Sequence, residues 1–216
     1  MKLISSSLIF ALAFIFTAST AQIPDTKTAA TILSGVSAKY KSFSAVKASF
    51  SMKTEDNAKV TGTQSGTLYV KGNKYKLELT NQEITCDNVK IWTYLKDANE
   101  VQVNTYEPEP DDINPTQIFI IYEKNFLCGY IEEQTVNGKI YQVIEMTPND
   151  KTKSYFKVRL MIDKTEKTIF SAKIFDKNGS RYTYEISKFT ANPVLAESFF
   201  TFNTASHPGV EVVDLR

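Results

Sequence analysis

Residues that activate nucleophiles or hold metals are scarce in this chain, which has one histidine, two cysteines and eight glycines in 216 residues. The single histidine, His207, lies beside Pro208 and Gly209 near the C-terminus, outside any strand pattern. Activation of a serine or cysteine by histidine would therefore depend on one tail residue. A zinc site is disfavoured for the same reason, and no glycine-rich phosphate loop is present. We therefore expect no cofactor and no metal, and an enzyme is disfavoured.

Carboxylates are abundant, so a hydrolase that uses two acidic side chains stays open as an alternative. The adjacent pairs visible in the sequence are Asp111 with Asp112 and Glu132 with Glu133. Both pairs are expected in loops or at exposed ends of elements, where a solvated surface charge is the commoner role.

An excess of charge of one sign is also missing, because the chain has 25 basic and 24 acidic residues. The first 21 residues contain one basic residue, Lys2, and no acidic one, so the remainder is neutral. A neutral chain has no electrostatic footprint for nucleic acid and no polybasic patch for anionic headgroups.

The N-terminus has the pattern of an export signal. Lys2 precedes a continuous apolar run, 8–16, and small residues at 19–21 suit a signal peptidase. The run is shorter than the roughly 20 residues that span a bilayer, although a membrane-anchored start is the alternative. Residue 22 is glutamine, so no lipid-attachment cysteine follows. We expect cleavage after Ala21 and release of a soluble, single-domain chain, 22–216, into the periplasm.

The mature sequence begins with one helical pattern. Asp25 or Thr26 can cap a helix whose apolar residues recur at helical spacing. These residues are Ala29, Ile32, Leu33, Val36 and Tyr40. An amphipathic helix of this kind must cover an apolar surface.

From Val46 the apolar period changes to two, which predicts strands separated by polar turns. The predicted strands are 46–52, 67–71, 75–79, 83–86, 89–95, 101–106, 140–146, 155–162, 168–175 and 182–186, with 197–202 closing the series before a coil tail. An acidic loop, 107–112, interrupts the strands. Asn114 can cap a second helix containing Ile118, Phe119, Ile121 and Tyr122, with Phe126 and Leu127 just beyond.

About ten antiparallel strands with two amphipathic helices predict a curved sheet whose apolar face is covered by helices. A membrane-spanning barrel is rejected because charged residues alternate with apolar ones, as Lys157 and Arg159 do between Phe156 and Leu160. Cys86 and Cys128 either form a disulfide or remain buried free thiols, and the sequence does not choose between these states.

Several segments resemble the periplasmic outer-membrane lipoprotein carriers, the LolA-like family. The matching segments occur in family order and cover nearly the whole mature chain. They are 43–50 (FSAVKASF), 65–71 (SGTLYVK), 86–94 (CDNVKIWTY), 146–148 (MTP) and 199–214 (FFTFNTASHPGVEVVD).

The resemblance implies an open, incomplete antiparallel β-barrel of about 11 strands with a helical lid. It also implies a monomeric carrier that binds the acyl chains of lipoproteins and shuttles them from an inner-membrane ABC-type exporter to an outer-membrane acceptor. A lipid- or glycolipid-binding or sensory half-barrel that is not dedicated to lipoproteins is the alternative. The expected acyl-chain site contains Ile32, Leu33, Val36, Val46, Phe50, Met52, Leu68, Val70, Tyr75, Leu77, Leu79, Ile118, Phe119, Ile121, Phe126, Leu127 and Met146.

One position departs from the family. Family members typically have Arg-Pro after the Val-Lys pair, and that arginine is thought to reach the lid, whereas this chain has Gly72 and Asn73. Strand alternation predicts that residue 72 lies on the face of Leu68 and Val70 and that Lys71 points to the other face. The lid is then expected to be held by apolar contacts alone or by another residue.

Overall fold

The computed structural model describes residues 25–107 and 125–216. Several predicted features fall outside these two ranges: the leader at 1–21, the residues Ile118, Phe119 and Ile121 of the second predicted helix, and the acidic pair Asp111 and Asp112.

Helix α1 (Thr26–Lys41) forms where the helical spacing predicted it. The side chain of Asp25 caps it by accepting the backbone N–H of Thr28 at 2.9 Å, and basic residues in the last turn suit the negative end of the helix dipole. Its buried stripe consists of Ala29, Leu33, Val36, Ser37 and Tyr40. Within the described ranges, no helix is long and apolar enough to cross a membrane.

Twelve strands follow. They are β1 (Val46–Asp56), β2 (Lys59–Lys71), β3 (Lys74–Leu79), β4 (Gln82–Cys86), β5 (Lys90–Leu95), β6 (Glu100–Thr105), β7 (Phe126–Val136), β8 (Lys139–Pro148), β9 (Tyr155–Asp163), β10 (Ile169–Asp176), β11 (Arg181–Ala191) and β12 (Glu211–Asp214). All belong to one sheet in the order β12-β6-β5-β4-β3-β2-β1-β11-β10-β9-β8-β7.

The sheet is open, because its two terminal strands, β12 and β7, are not neighbours of each other. Every pairing is antiparallel except that of β12 with β6. The predicted fold class, an open antiparallel β-barrel with a helical lid, is confirmed. The strand count is twelve rather than about eleven because the tail adds β12.

Two parts of the prediction were wrong. The segment from Phe126 to Val136 forms β7, so Glu132 and Glu133 lie in a strand, although both are exposed. The sequence placed Phe126 and Leu127 just beyond a helix and predicted no strand before residue 140, because a β-bulge near Ile131 disturbs the alternation. The tail also differs, because Glu197–Phe200 is a 3-10 turn and the predicted coil contains β12, a strand too short to show a period.

We call the face of the sheet that packs on α1 the inner face, and its opposite the outer face. The main core lies on the inner face, where Val36 of α1 clusters with Ile144, Met146, Leu160 and Ile162. Each of these side chains is at most 1% exposed. Helix, β8 and β9 therefore bury one another, and this half of the inner face is closed.

A second core lies on the outer face of β4 to β6. The register of Thr85 with Trp92, and of Trp92 with Val103, places these residues on the face opposite Cys86. Thr85, Val101, Val103 and Phe200 are nearly or fully buried, yet they are not members of the main cluster. The C-terminal segment that contains Phe200 thus covers the outside of this half of the sheet.

Candidate functional site

An apolar surface remains half-exposed on the inner face of β1 and β3 to β5. It consists of Phe50, Leu77, Leu79, Ile84 and Ile91, which we call the inner patch. Cross-strand pairing of Leu68 with Leu77, and of Leu77 with Ile84, aligns large side chains on one face. Met52 is also half-buried on β1 beyond Phe50. The patch offers apolar area that helix α1 leaves incompletely covered.

Gly66 explains how side chains from different strands meet in the inner patch. A Cβ atom at residue 66 would lie 2.7 Å from Cδ2 of Leu79 and 2.8 Å from Cζ of Phe50. Both side chains therefore lean over the glycine from the strands on either side. A larger residue at this position would push them apart, since such distances are below van der Waals contact.

Most of the other predicted lining residues are fully buried beneath or beside α1. Leu33, Val36, Val46, Leu68, Val70, Tyr75 and Met146 are between 0% and 8% exposed, and Ile32 and Phe126 pack against the same cluster. The structure brings these residues together as predicted, but in a closed core. Their role in binding an acyl chain remains a prediction.

The structure does not place Leu127 with the other predicted lining residues. Leu127 is 61% exposed, whereas its neighbours Phe126 and Cys128 pack against the main core. Because Leu127 lies in a strand and not after a helix, alternation turns its side chain to the opposite face. Conversely, Ile84 and Ile91 belong to the inner patch but were absent from the predicted site. Their period of two with Cys86 and Thr93 was the signal that could have revealed them.

Helix α1 is fastened at both ends by hydrogen bonds. At its start, the carbonyl of Asp25 accepts the N–H of Tyr130 in β7 at 3.1 Å. At its end, the hydroxyl of Tyr40 accepts the N–H of Ile169 in β10 at 3.2 Å. The Tyr40 ring also packs edge-on against Phe43 and Phe189, with centroids 5.8 and 5.6 Å away. The described part of the lid is thus tied by backbone groups and aromatic contacts.

Gly72 does not lie on the inner face as alternation predicted. Strand β2 ends at Lys71, and Gly72 occupies the two-residue turn to β3 with a φ of 56°. A side chain there would meet nothing within 4 Å. Lys71 does point to the outer side, where its Nζ donates to the carbonyl of Leu195 at 2.9 Å and pairs with Glu197 at 2.7 Å. Lys71 therefore holds the C-terminal segment and not the lid.

Ionised side chains are disfavoured on the inner face. Burial raises the pKa of Tyr75 and of the Cys86 thiol, and it raises the pKa of Cys128 to about 11. The sequence left open whether Cys86 and Cys128 form a disulfide or remain free thiols. In the structure both cysteines are free thiols. A thiol whose pKa lies above its usual range is a poor nucleophile at neutral pH. The surroundings of these groups are therefore apolar.

The outer face carries ion pairs and hydroxyl groups in addition to its apolar core. Glu145 pairs with Lys157 at 3.2 Å and with Arg159, and these pairs hold the pKa of its carboxyl below the usual value against the opposing effect of burial. A hollow of about 490 Å³ on this face is lined mainly by hydroxyl-bearing residues such as Ser49, Thr67 and Ser187. The two faces of the sheet thus differ in their polar groups: ion pairs and hydroxyls lie on the outer face, and the inner patch is apolar.

Solved structures are similar to this one at low sequence identity, and the first of those described here shares its fold. An uncharacterized conserved protein from Thermus thermophilus has a TM-score of 0.59 and 11% identity, over 87% of this chain and 99% of that one. A LolA superfamily protein from Nitrosomonas europaea has a TM-score of 0.42 and 12% identity, over 81% and 97% of the two chains. The MucA/MucB complex of Pseudomonas aeruginosa has a TM-score of 0.45 and 12% identity, over 82% and 62%.

The sequence itself carries the family relationship. A search of curated protein sequences finds no match. The family described as outer membrane lipoprotein carrier protein LolA, however, matches residues 41–203, from the end of α1 to the segment that covers the outer face. The match spans the inner patch and most of both cores. The chain therefore belongs to the LolA family of outer membrane lipoprotein carrier proteins.

Proposed function

We propose that this protein carries lipoproteins through the periplasm, with their acyl chains held on the inner patch. The N-terminal leader would direct export and would be removed by cleavage after Ala21, which leaves residues 22–216 as the carrier domain. An inner-membrane ABC-type exporter would supply the cargo, and an acceptor at the outer membrane would receive it. Family membership and the chemistry of the inner face support this proposal.

The observation that carries the proposal is the partly exposed group of large apolar side chains that meet in the inner patch. Phe50, Leu77, Ile84 and Ile91 are each partly accessible, although burying a large apolar side chain fully is worth about 1.5–3 kcal/mol. The folded protein therefore does not gain the full free energy of burial for these side chains on its inner face. An acyl chain that covers the patch would realise it, at about 0.8 kcal/mol for each methylene buried.

A carrier of many lipoproteins also needs a surface whose binding does not depend on the amino-acid sequence of the cargo. The inner patch has aliphatic and aromatic side chains, which contact an acyl chain without fixing its register. Lipoproteins of different sequence share the acyl chains, so one apolar surface serves them all. No step of this transport requires a nucleophile, which agrees with the raised pKa values of both thiols.

Lipid extraction tests the proposal. The purified protein is incubated with inner-membrane vesicles that contain a tagged lipoprotein, and the soluble fraction is analysed by mass spectrometry and immunoblotting. We expect the lipoprotein to appear in a soluble complex with the protein in equimolar amounts. Extraction of phospholipid or glycolipid without lipoprotein would favour the lipid-binding or sensory alternative. Extraction of neither would contradict both.

A further inference from the structure

Strand β2 extends well beyond the end of its neighbour β3. It pairs with β3 only from Gly66 to Lys71, whereas it pairs with β1 along nearly its whole length. Residues 59–65 thus have β1 on one side and, among the residues that the structure describes, no strand on the other. All of them except Gln64 are exposed. We call the stretch 60–65 the free edge.

Backbone groups of the free edge point outward at known positions. The two-residue turn at Gly72 and Asn73 makes Lys71 and Lys74 a hydrogen-bonded pair of β2 and β3. Alternation along the strand then directs the N–H and C=O of Ser65 and Thr63 to the β3 side, where β3 has already ended. Because Gly66 pairs with Leu79, Ser65 still lies opposite the residue that follows β3, and Thr63 is the position whose N–H and C=O are available to another extended chain.

The two terminal edges of the sheet are protected more fully than the free edge. Strand β7 has a bulge near Ile131 beside the exposed Glu132 and Glu133, and Asp25 already accepts the N–H of Tyr130. Strand β12 has only four residues and is acidic at both ends. Bulges, charges and short length are the devices that prevent edge pairing. The free edge has a bulge at Thr61, but its remaining stretch, 62–65, is regular, and the whole edge has no charge and no proline.

Gly62 lies at the centre of the free edge, directly after the β-bulge at Thr61. A glycine in a strand often marks such a bulge. A Cβ atom at Gly62 would meet nothing within 4 Å, so the space beside this part of the free edge is open to another backbone. Gly66 on the same strand is different, because Leu79 and Phe50 occupy the space that its side chain would need.

We propose that the free edge binds the extended polypeptide segment that follows the acylated N-terminus of a lipoprotein cargo, as an added β-strand. This inference rests on the proposed carrier function. The free edge continues directly into Gly66, over which Phe50 and Leu79 of the inner patch lie. A cargo held in the patch by its acyl chains therefore reaches the free edge with its first residues. Pairing through backbone groups, like the patch itself, accepts cargoes of many sequences.

Synthetic acylated peptides separate the two parts of the inference. One probe is a triacylated cysteine with a minimal peptide, and the other has a polar linker of about ten residues, long enough to follow the free edge. Dissociation constants are measured for the wild-type protein, for Thr63→Pro and for the matched control Thr63→Val. Proline at residue 63 removes the backbone N–H that points outward and breaks no hydrogen bond to β1. Valine at the same position keeps this N–H.

We expect the wild-type protein and Thr63→Val to bind the long probe about tenfold more tightly than the short one. Thr63→Pro should bind both probes with the affinity of the short one. Equal affinities in the wild-type protein would overturn the role of the free edge and leave the carrier function standing. Failure to bind either probe would instead contradict the carrier function.

A measurement on the unaltered protein covers the case in which Thr63→Pro does not fold. A long probe with N-methylated linker amides cannot pair as a strand and should lose the tenfold advantage. If it binds as tightly as the unmethylated probe, the proposal is wrong. Light scattering of the protein alone is the remaining test, because a dimer that dissociates on addition of the long probe's linker peptide would show that the free edge pairs with a second copy.

Discussion

The two halves of the sheet differ in the face that carries most of their buried side chains. In the half formed by β8 and β9, the inner face is closed under α1, with Ile144 and Leu160 at most 1% exposed. In the half formed by β3 to β6, the outer face is closed, and Val101 and Phe200 are both fully buried there. On the inner face of this half Cys86 is buried, but other side chains, such as Ile84, stay partly accessible.

This difference shows how an open sheet can keep an apolar surface without losing its fold. The free energy of burial that holds β3 to β6 in place comes from the C-terminal segment on the outside. The inner patch is therefore not needed to the same extent for stability and can be used for cargo. Four substitutions test this division between an outer core that stabilises the fold and an inner patch that stays accessible.

A charge in the inner patch should remove cargo binding. Leu77→Asp places a carboxylate where an acyl chain would lie, and an unpaired charge in an apolar contact costs several kcal/mol. Lipoprotein extraction from inner-membrane vesicles should fall to background. Leu77 is half-buried, so this variant is a cleaner test than Leu68→Asp, whose side chain is only 7% exposed in the wild-type protein.

Leu127→Asp is the matched control, because Leu127 is also a strand leucine but is 61% exposed on the opposite face. Its extraction should equal that of the wild-type protein. Retained β-sheet circular dichroism is required of both variants. Wild-type extraction by a folded Leu77→Asp protein would show that the inner patch does not bind cargo.

Removal of the central side chain of the outer core should destabilise the protein. Phe200 is completely buried, and Phe200→Ala should lower the free energy of unfolding by about 3–5 kcal/mol. Phe199→Ala should cost less, because Phe199 is half-buried against the Tyr69 ring at 4.9 Å. Urea denaturation measures both. Similar losses for the two variants would contradict the assignment of Phe200 to a closed core.

Acid should loosen the C-terminal segment first. The lysines Lys71 and Lys74, each 2.7 Å from the Glu197 carboxylate, lower its pKa from 4.5 to about 2. A lowered native pKa means that the unfolded chain binds the proton first, so the contribution is present above pH 4.5 and is lost as the pH falls toward 2. Glu197→Gln should flatten the dependence of the urea midpoint on pH in this window. An unchanged slope would show that the ion pairs do not hold the segment.

Substitution of Ser37 tests whether the buried face of α1 contributes to stability without taking part in cargo binding. The Ser37 hydroxyl is buried and has no hydrogen-bond partner among the described residues. Ser37→Ala should therefore stabilise the protein by up to about 1 kcal/mol and leave extraction unchanged. Ser34→Ala on the exposed side of the same helix corrects for helix propensity. A loss of stability beyond that of the control would mean that the hydroxyl has a structural role.

The sequence predicted the elements with strong periods and missed those whose pattern was short or broken. Helix α1 followed from Ala29, Leu33 and Val36, and the strands around Leu68 and Leu160 from their alternation. Strand β7 was missed because its bulge shifts the period beside Glu132. Strand β12 was missed because four residues show no period.

Half of the candidate site could be read from alternation, which identifies the residues that share a face. Alternation predicted the face of the sheet on which Leu77 and Leu79 lie. It does not show whether a residue on that face is covered or accessible. Met146 and Leu77 gave the same signal, yet α1 covers the first and leaves the second half-exposed. Only long-range packing, such as that of Phe200 on the outer face, decides this difference.

Site-specific photocrosslinking tests the central claim most directly. A photoreactive residue is placed at Ile84 or Ile91 in the inner patch, and at the exposed positions Leu127 or Val212 as controls. After incubation with inner-membrane vesicles, we expect crosslinks to the acyl chains of lipoprotein from Ile84 and Ile91 and none from the controls. Crosslinks of equal yield from Leu127, or none from either position of the inner patch, would contradict the account.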